Sequence, residues 1–583
     1  MTISPSASDI RYEPNETPPW PLTIGLGFQL VLLTIGGIVL TPAIVIRAAG
    51  GSDEYLTWAV FASVIVSGVS TILQALGKFR IGAGYILVMG TSGAFIGVCI
   101  AALNDSGPAT MSTLVICSSL LQIFFATKLS KFRRILTPTV TGTVIMLIAV
   151  TVVPILFGML EEIPEGASMS GSAMSAGTAL MITLLLAIKA RGILRLWAPM
   201  IGVLAGTIVS AFYGLYDTQE IVNAAWIGFP DLGWPGLDLT FGTTFWALLP
   251  AFIFVTMIGA IETVGDSIAI QKISWRTPRA ADFRTVQGAL SADGIGNFLS
   301  GLTGTIPNTT YSTSVSVVEL TGVASRACGV AIGCIFIILS VNPKFLAAIL
   351  AIPAPVVGAF LTVLIAMLFV LGMKIVVQDG ISYRSGLICG ISFWIGAGLQ
   401  NRTIFPDFFD NLAGGVFENG MVSGGLIAIV LTIISEFTLK GRKRIQTALN
   451  VQSLTELQSF IRKFSSGHSW SSNFTLRVEA AVEEALLILC SQKQDGEEDG
   501  VLQMVIKGES EHAILEFVAA DSKENFEDRM AFMGADVSNP NVEKDVSFRM
   551  LEHLTSSVRH ERYHGTEILV LEVHRSTVIP QRI

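Results

Sequence analysis

The chain has 583 residues, 51% hydrophobic and only 14% charged, with a mean hydropathy of +0.63. Soluble globular proteins carry about 25% charged residues, so a string of ordinary soluble domains is excluded. Residues 1–445 carry 24 Lys/Arg against 23 Asp/Glu, and residues 446–583 carry 13 against 22, for a net charge of −8. A nearly neutral membrane body is therefore followed by an acidic tail, a balance that speaks against a nucleic-acid partner.

A bilayer core about 30 Å thick needs roughly 20 apolar residues of helix. Apolar runs ended by Lys/Arg, Pro or Gly clusters give about fourteen segments, near 21–46, 56–77, 83–103, 109–127, 135–158, 174–189, 196–216, 243–271, 285–301, 311–325, 327–342, 346–373, 385–399 and 419–438. The first follows polar, Pro-rich residues and lacks a small-residue cleavage site, so it is expected to be a span and not a signal peptide. Basic residues such as Lys78, Arg80, Lys128, Lys131, Arg133, Arg134, Lys189, Arg276, Arg326 and Lys374 fall in alternate loops, which the positive-inside rule places in the cytoplasm with both termini. The expected division is an N-terminal tail 1–20, a transporter domain 21–440, a linker 441–455, an α/β domain 456–577 and an end 578–583.

Two segments are interrupted by small and polar residues: the third by Gly90-Thr91-Ser92-Gly93-Ala94-Phe95, the tenth at its start by Gly301 to Ser314. They stand seven segments apart, and a matched pair of broken helices points to an inverted repeat with a binding site at the bilayer midplane. Small residues also ease helix packing, which would explain either stretch taken alone. Carboxylates at membrane depth are costly and usually mark a substrate or ion path. Glu262 and Asp266, four apart in the eighth segment, share one helix face. Asp293 lies in the ninth segment and Glu319 in the tenth. All six histidines lie in the tail and the six cysteines sit in apolar stretches without ligand spacing. Neither a metal nor a cofactor is expected, and proton chemistry within the bilayer falls to carboxylates.

Taken together, Arg133-Arg134 to Gly142, Phe252 to Asp266, Ala292-Asp293-Gly294, Leu320 to Arg326 and Pro353 to Gly358 resemble the nucleobase-ascorbate transporter family over roughly residues 20–440. The resemblance implies an all-α polytopic membrane protein of fourteen segments in a seven-plus-seven inverted repeat. A core (segments 1–4 and 8–11) would move against a gate (5–7 and 12–14), usually in a homodimer in the plasma membrane, here the inner membrane of a bacterium. It implies short antiparallel strands in segments 3 and 10, and Glu262 as the carboxylate that binds the base. Ser92, Gly93, Thr313, Ser314 and Gln29 would line the pocket, and Asp266, Asp293 and Glu319 would carry proton or sodium coupling. The family signature would begin at Thr313, where this chain reads Thr313-Ser314-Val315-Ser316; Leu30 follows Gln29 where a histidine is frequent, and Gly93 replaces an aromatic residue. Smaller lining side chains suggest a wider pocket and a bicyclic purine such as xanthine or urate. An anion transporter of related architecture and a solute-sensing receptor remain as alternatives.

In the tail, apolar alternation in Leu502–Ile506, Ala513–Val518 and Glu567–Glu572, with helical periodicity over Thr475–Cys490, predicts a compact α/β fold. Val478 to Ile488 resembles the first nucleotide-site helix of the histidine-kinase-type ATPase fold of anti-sigma factors. Ile488 stands where that helix carries a magnesium-binding asparagine, and Asp521-Ser-Lys-Glu-Asn525 lacks the expected glycines, so a degenerate module without ATPase activity is expected.

Overall fold

The computed structural model describes residues 10–127, 137–161, 169–377, 383–405, 420–438, 442–491, 500–519 and 549–574, save positions 217, 232, 278, 402, 469, 510, 511 and 565. The chain forms two compact units, one of residues 1–276 and 285–434, the other of 277–284 and 435–583. Lys128, Lys131, Arg133, Arg134 and Asp521–Asn525 lie outside the described residues, as do parts of the expected terminal segments.

The first unit is helical. Its elements are α1 (Trp20–Ala48), α2 (Asp53–Leu76), strand β1 (Met89–Thr91), α3 (Ile96–Thr127), α4 (Pro138–Glu161), α5 (Met169–Lys189) and α6 (Ala198–Phe212). After a loop come α7 (Thr243–Ile273), α8 (Phe283–Thr303), strand β2 (Asn308–Thr310), α9 (Thr313–Thr321), α10 (Arg326–Ser340), α11 (Pro343–Leu350), α12 (Ala354–Val377), α13 (Tyr383–Gln400) and α14 (Gly420–Thr438). The expected segments fall on these elements, the twelfth divided between α11 and α12 and the third and fourth sharing α3, which is broken at Gly107 (φ 82°) just before Pro108. Only glycine adopts that backbone readily, and proline then removes a donor. Among the described residues seven helices are long and apolar enough to cross a membrane, and the bent pair α10–α11 would make an eighth. The chain therefore has the build of a multi-pass membrane protein.

The packing repeats under a shift of seven segments. Helix α1 packs on β1 as α7 packs on β2, α4 packs on α13 as α12 packs on α5, and the equivalent helices α4 and α12 pack on each other. At that last crossing a Cβ on Gly142 would meet the Gly372 carbonyl, and one on Gly372 would lie 2.7 Å from the Gly142 carbonyl. Small residues let the two backbones touch. These paired contacts follow the seven-segment repeat expected from the sequence. One apolar cluster lies mostly within the expected core segments (Val31, Ile38, Val60, Ile86, Val318 and Phe336 among its members) and takes in Leu346 of the twelfth. A second joins α3 and α7 to α4 and α12.

Strands β1 and β2 pair antiparallel, Met89 opposite Thr310 and Thr91 opposite Asn308. Tyr311 locks the pair, its hydroxyl donating to the Thr91 carbonyl (2.8 Å) and its amide to Val88 (2.8 Å). The ring covers Gly90, where an added Cβ would lie 2.5 Å from Tyr311 Cζ. Gly90→Ala should therefore displace Tyr311 and cost about 1–3 kcal/mol, the usual price of overpacking. A lower melting temperature in detergent is the expected reading, and an unchanged one would mean that the ring can move aside.

The N-terminal residues 10–16 form a strap across the Arg276 end of α7. Tyr12 bridges to Val323, and the Ala324 and Arg326 amides donate to the Tyr12 and Pro14 carbonyls (2.8 and 3.1 Å). Arg276 donates to both Glu16 oxygens (2.8 and 2.7 Å) and holds that carboxyl below its ordinary value.

The second unit carries a five-stranded antiparallel sheet in the order β3 (Arg442–Ala448), β4 (Val501–Glu509), β5 (His512–Ala519), β7 (Thr566–His574), β6 (Ser557–Tyr563). Helices α15 (Leu454–Ser466) and α16 (Ser472–Ser491) share one apolar core with the sheet, built on Leu457, Phe464, Val482, Leu486, Met504, Phe517 and Leu571. The expected linker is corrected here: part of 441–455 is edge strand β3, Arg442 opposite Lys507 and Ala448 opposite Val501. Its Lys and Arg residues resemble linker composition but are also what protects a sheet edge.

Candidate functional site

The site forms where β1, β2 and the starts of α3 and α9 meet the middle of α7. Gly259 on α7 touches both neighbours: an added Cβ would lie 3.8 Å from Thr309 Oγ1 on β2 and 4.0 Å from the Phe95 ring, in the turn that leads into α3. One turn further along, Glu262 lies on the stripe between Gly259 and Asp266, and both of those residues contact β2.

The three carboxylates differ in how they are engaged. Asp266 is 7% exposed and accepts from Thr310 Oγ1 (2.7 Å) at one oxygen and Ser312 Oγ (2.6 Å) at the other. Asp293 is 0% exposed, and its Oδ2 accepts from Gln122 Nε2 and Thr263 Oγ1, both at 2.8 Å. Glu262 is half-buried, and among the described residues no hydrogen bond reaches its carboxylate.

Around Asp293 runs a connected polar chain. Asn297 donates to Gln122 Oε1 (2.9 Å) and accepts at Oδ1 from the Asn308 amide (2.7 Å), while the Asn308 side chain reaches Ser70 Oγ (3.2 Å). Thr310 lies 3.5 Å from Thr263 and so links the Asp266 and Asp293 groups. Gln122, Thr263, Asn297, Thr310 and Ser312 escape sequence reasoning, because amides and hydroxyls at membrane depth look like packing residues until their partners are known.

The remaining expected site residues divide. Ser92 follows β1 and its buried hydroxyl has no hydrogen-bond partner among the described residues. Gly93 opens the turn into α3 with open space at its Cα, the nearest atom to an added Cβ being Ile96 Cδ1 at 4.0 Å. Thr313 opens α9 and is half-buried. Ser314 is spent on the fold: its hydroxyl accepts from the Val88 amide (2.9 Å) and donates to the Tyr311 carbonyl (2.8 Å). Gln29 lies eight residues before Gly37, the level at which Thr91 meets α1. At 1.5 Å per residue that is about 12 Å along the helix, so Gln29 is not brought to the strand pair. Glu319 is exposed near the end of α9, away from the carboxylate group. The geometry thus combines a carboxylate with open acceptor capacity, a buried hydroxyl, and the starts of two half-helices, where the Phe95 and Ser314 amides are already bonded to the Ser92 and Tyr311 carbonyls (3.2 and 3.0 Å). Such a set can meet a planar solute carrying both donors and acceptors.

Residues 22–403 match the sequence model of a family described as the Permease family. The chain is 30% identical over 432 residues to the putative purine permease CPE0397 of Clostridium perfringens, covering 71% of this chain and 90% of that one. It is 28% identical over 447 residues to the xanthine permease XanP of Escherichia coli strain K12, covering 73% and 95%. Among solved structures, the transmembrane domain of a cyanobacterium bicarbonate transporter, BicA, is similar over 72% of this chain and 99% of its own, with a TM-score of 0.47 and 18% identity. The length of the family match, together with the polytopic fold, makes this chain a membrane transporter and not an enzyme, a member of the permease family that its motifs resemble, the nucleobase-ascorbate transporters.

Proposed function

We propose that the protein is an ion-coupled symporter of a nucleobase-like solute, a purine such as xanthine or urate, bound by Glu262 between the broken segments. The observation that carries this reading is the engagement of the carboxylates. Asp266 and Asp293 are held by the fold, and Glu262, on the stripe facing β2, keeps its acceptors for a ligand. A carboxylate accepts two N–H bonds from a planar base edge, and the half-helix amides meet its carbonyls. Ser92, Gly93 and Thr313 complete the lining. Asp293 or Asp266 takes the coupling proton, since the histidines all lie in the tail. The purine permeases among the relatives support this substrate class.

The reading is tested by a thermal-shift panel of purines, pyrimidines, ascorbate and inorganic anions on detergent-purified protein. A ligand that binds only the folded state stabilises it by about 2.7 kcal/mol at a hundred times its dissociation constant. Purines should raise the melting temperature and drive counterflow in proteoliposomes. A response to anions alone would replace the reading with an anion transporter, and binding without counterflow would replace it with a receptor.

The same proposal places both termini in the cytoplasm of a bacterial cell, by the bias of its basic loops, and the protein in a homodimer. The tail is then a degenerate relative of the anti-sigma ATPase fold, with a regulatory or dimerisation role. Ile488 is buried in the tail core, where an aliphatic side chain cannot ligate magnesium. Calorimetric titration with magnesium-ATP should show no binding tighter than about 100 μM, roughly 5.5 kcal/mol, and no hydrolysis. Tighter binding would make the nucleotide a regulator.

A further inference from the structure

We propose that the tail domain binds one divalent ion of the zinc or nickel kind between His512, Glu572 and His574. The two faces of the tail sheet differ, one packed on the core and the other carrying these three residues. Along β5, burial alternates: Ala513, Leu515, Phe517 and Ala519 point into the core and His512 lies on the other face. Along β7, Leu569, Leu571 and Val573 enter the same core, so Glu572 and His574 also lie on the outer face.

Register then brings the three together. His512 begins β5 directly opposite His574 near the end of β7, and Ile514 stands opposite Glu572. The imidazole rings lie 4.4 Å apart between centroids at 22°. One ligand atom from each of the three residues falls within 4.8 Å of the other two. Zinc bonds of about 2.0–2.2 Å in tetrahedral geometry need ligand atoms roughly 3.4 Å apart. Side-chain rotation can close the difference while the paired backbones stay in place. Arg559 on β6 donates to Glu572 Oε1 (3.3 Å), which orients the carboxylate and leaves its other oxygen for the ion.

The donor set names the class of ion. Two imidazoles and one carboxylate suit zinc, nickel or copper, whereas magnesium and calcium favour oxygen ligands. Three protein ligands leave a fourth position for water or a further donor. The ion would clip the first residue of β5 to the last described residue of β7, and this site shares no residue with the proposed transport site.

The test uses full-length, detergent-purified protein free of any histidine tag, with zinc measured by equilibrium dialysis and metal analysis. Wild type should retain one zinc per chain with a dissociation constant below about 10 μM, and cobalt in its place should give the visible absorption bands of tetrahedral coordination. His512→Ala and His574→Ala should each weaken retention at least about tenfold. Their metal-free melting temperatures should match wild type, which separates lost ligation from lost folding. Zinc should raise the melting temperature of wild type only. Retention of zinc by the double variant at wild-type affinity, or no zinc above background on wild type, would overturn the site.

Discussion

Glu262→Gln is expected to abolish purine uptake and to weaken purine binding about ten- to a hundredfold. The change keeps the shape of the side chain but replaces a two-oxygen anion with one acceptor and one donor. Losing a hydrogen bond to a charged group costs about 1.5–3 kcal/mol, and each 1.4 kcal/mol is a factor of ten in affinity. The fold should be indifferent to it, since among the described residues nothing hydrogen-bonds the Glu262 carboxylate. An unchanged melting temperature without ligand, together with a lost thermal shift with xanthine or urate, is the expected pair of readings. Wild-type affinity and uptake in the variant would remove Glu262 from the site.

Substitutions at Asp293 should separate architecture from coupling. Asp293→Ala leaves Gln122 Nε2 and Thr263 Oγ1 without their acceptor in a fully buried position. At about 1–3 kcal/mol for each orphaned group, the loss is comparable with the net stability of many domains, and folded protein should become scarce in size-exclusion profiles. Asp293→Asn keeps one carbonyl oxygen, which can serve both donors because they converge on the same Oδ2. That variant should fold and exchange substrate across proteoliposomes while losing accumulation driven by a proton gradient. Accumulation at the wild-type level would refute coupling through Asp293 and move it to Asp266. Dependence on sodium at fixed pH would refute proton coupling altogether.

The sequence showed those parts of the site whose signal is local. Glu262 and Asp266 announce a common helix face by their spacing, and the Gly/Ser/Thr runs at 90–95 and 301–314 announce breaks that become β1 and β2. Residues whose role depends on distant partners stayed hidden. Nothing near Gln122 in the chain tells that it meets Asn297 and Asp293, the latter 171 residues away. Gln29 was drawn to the site by resemblance, although the helical rise carries it about two turns away. Strand β3 was missed because Lys443, Arg444 and Gln446 describe a solvated edge and a linker equally well. The histidines of the tail showed no ligand spacing because register, not sequence distance, sets His512 against His574.

The pairing of β1 with β2 also constrains how the protein is made. Met89 meets Thr310 and Thr91 meets Asn308, so β1 leaves the ribosome more than two hundred residues before its partner exists. At about 5–20 residues per second, that interval is roughly 10–40 s. During it the backbone groups of β1 have no strand to bond, and each unsatisfied group in hydrocarbon costs several kcal/mol. The third segment cannot settle at its final depth alone; it must wait at the interface, in the translocation channel or against earlier helices until the second repeat arrives. The strand pair at the proposed substrate site is therefore completed only once the second repeat is made, and chains truncated before Asn308 should be degraded as unassembled membrane segments rather than accumulate as half-transporters.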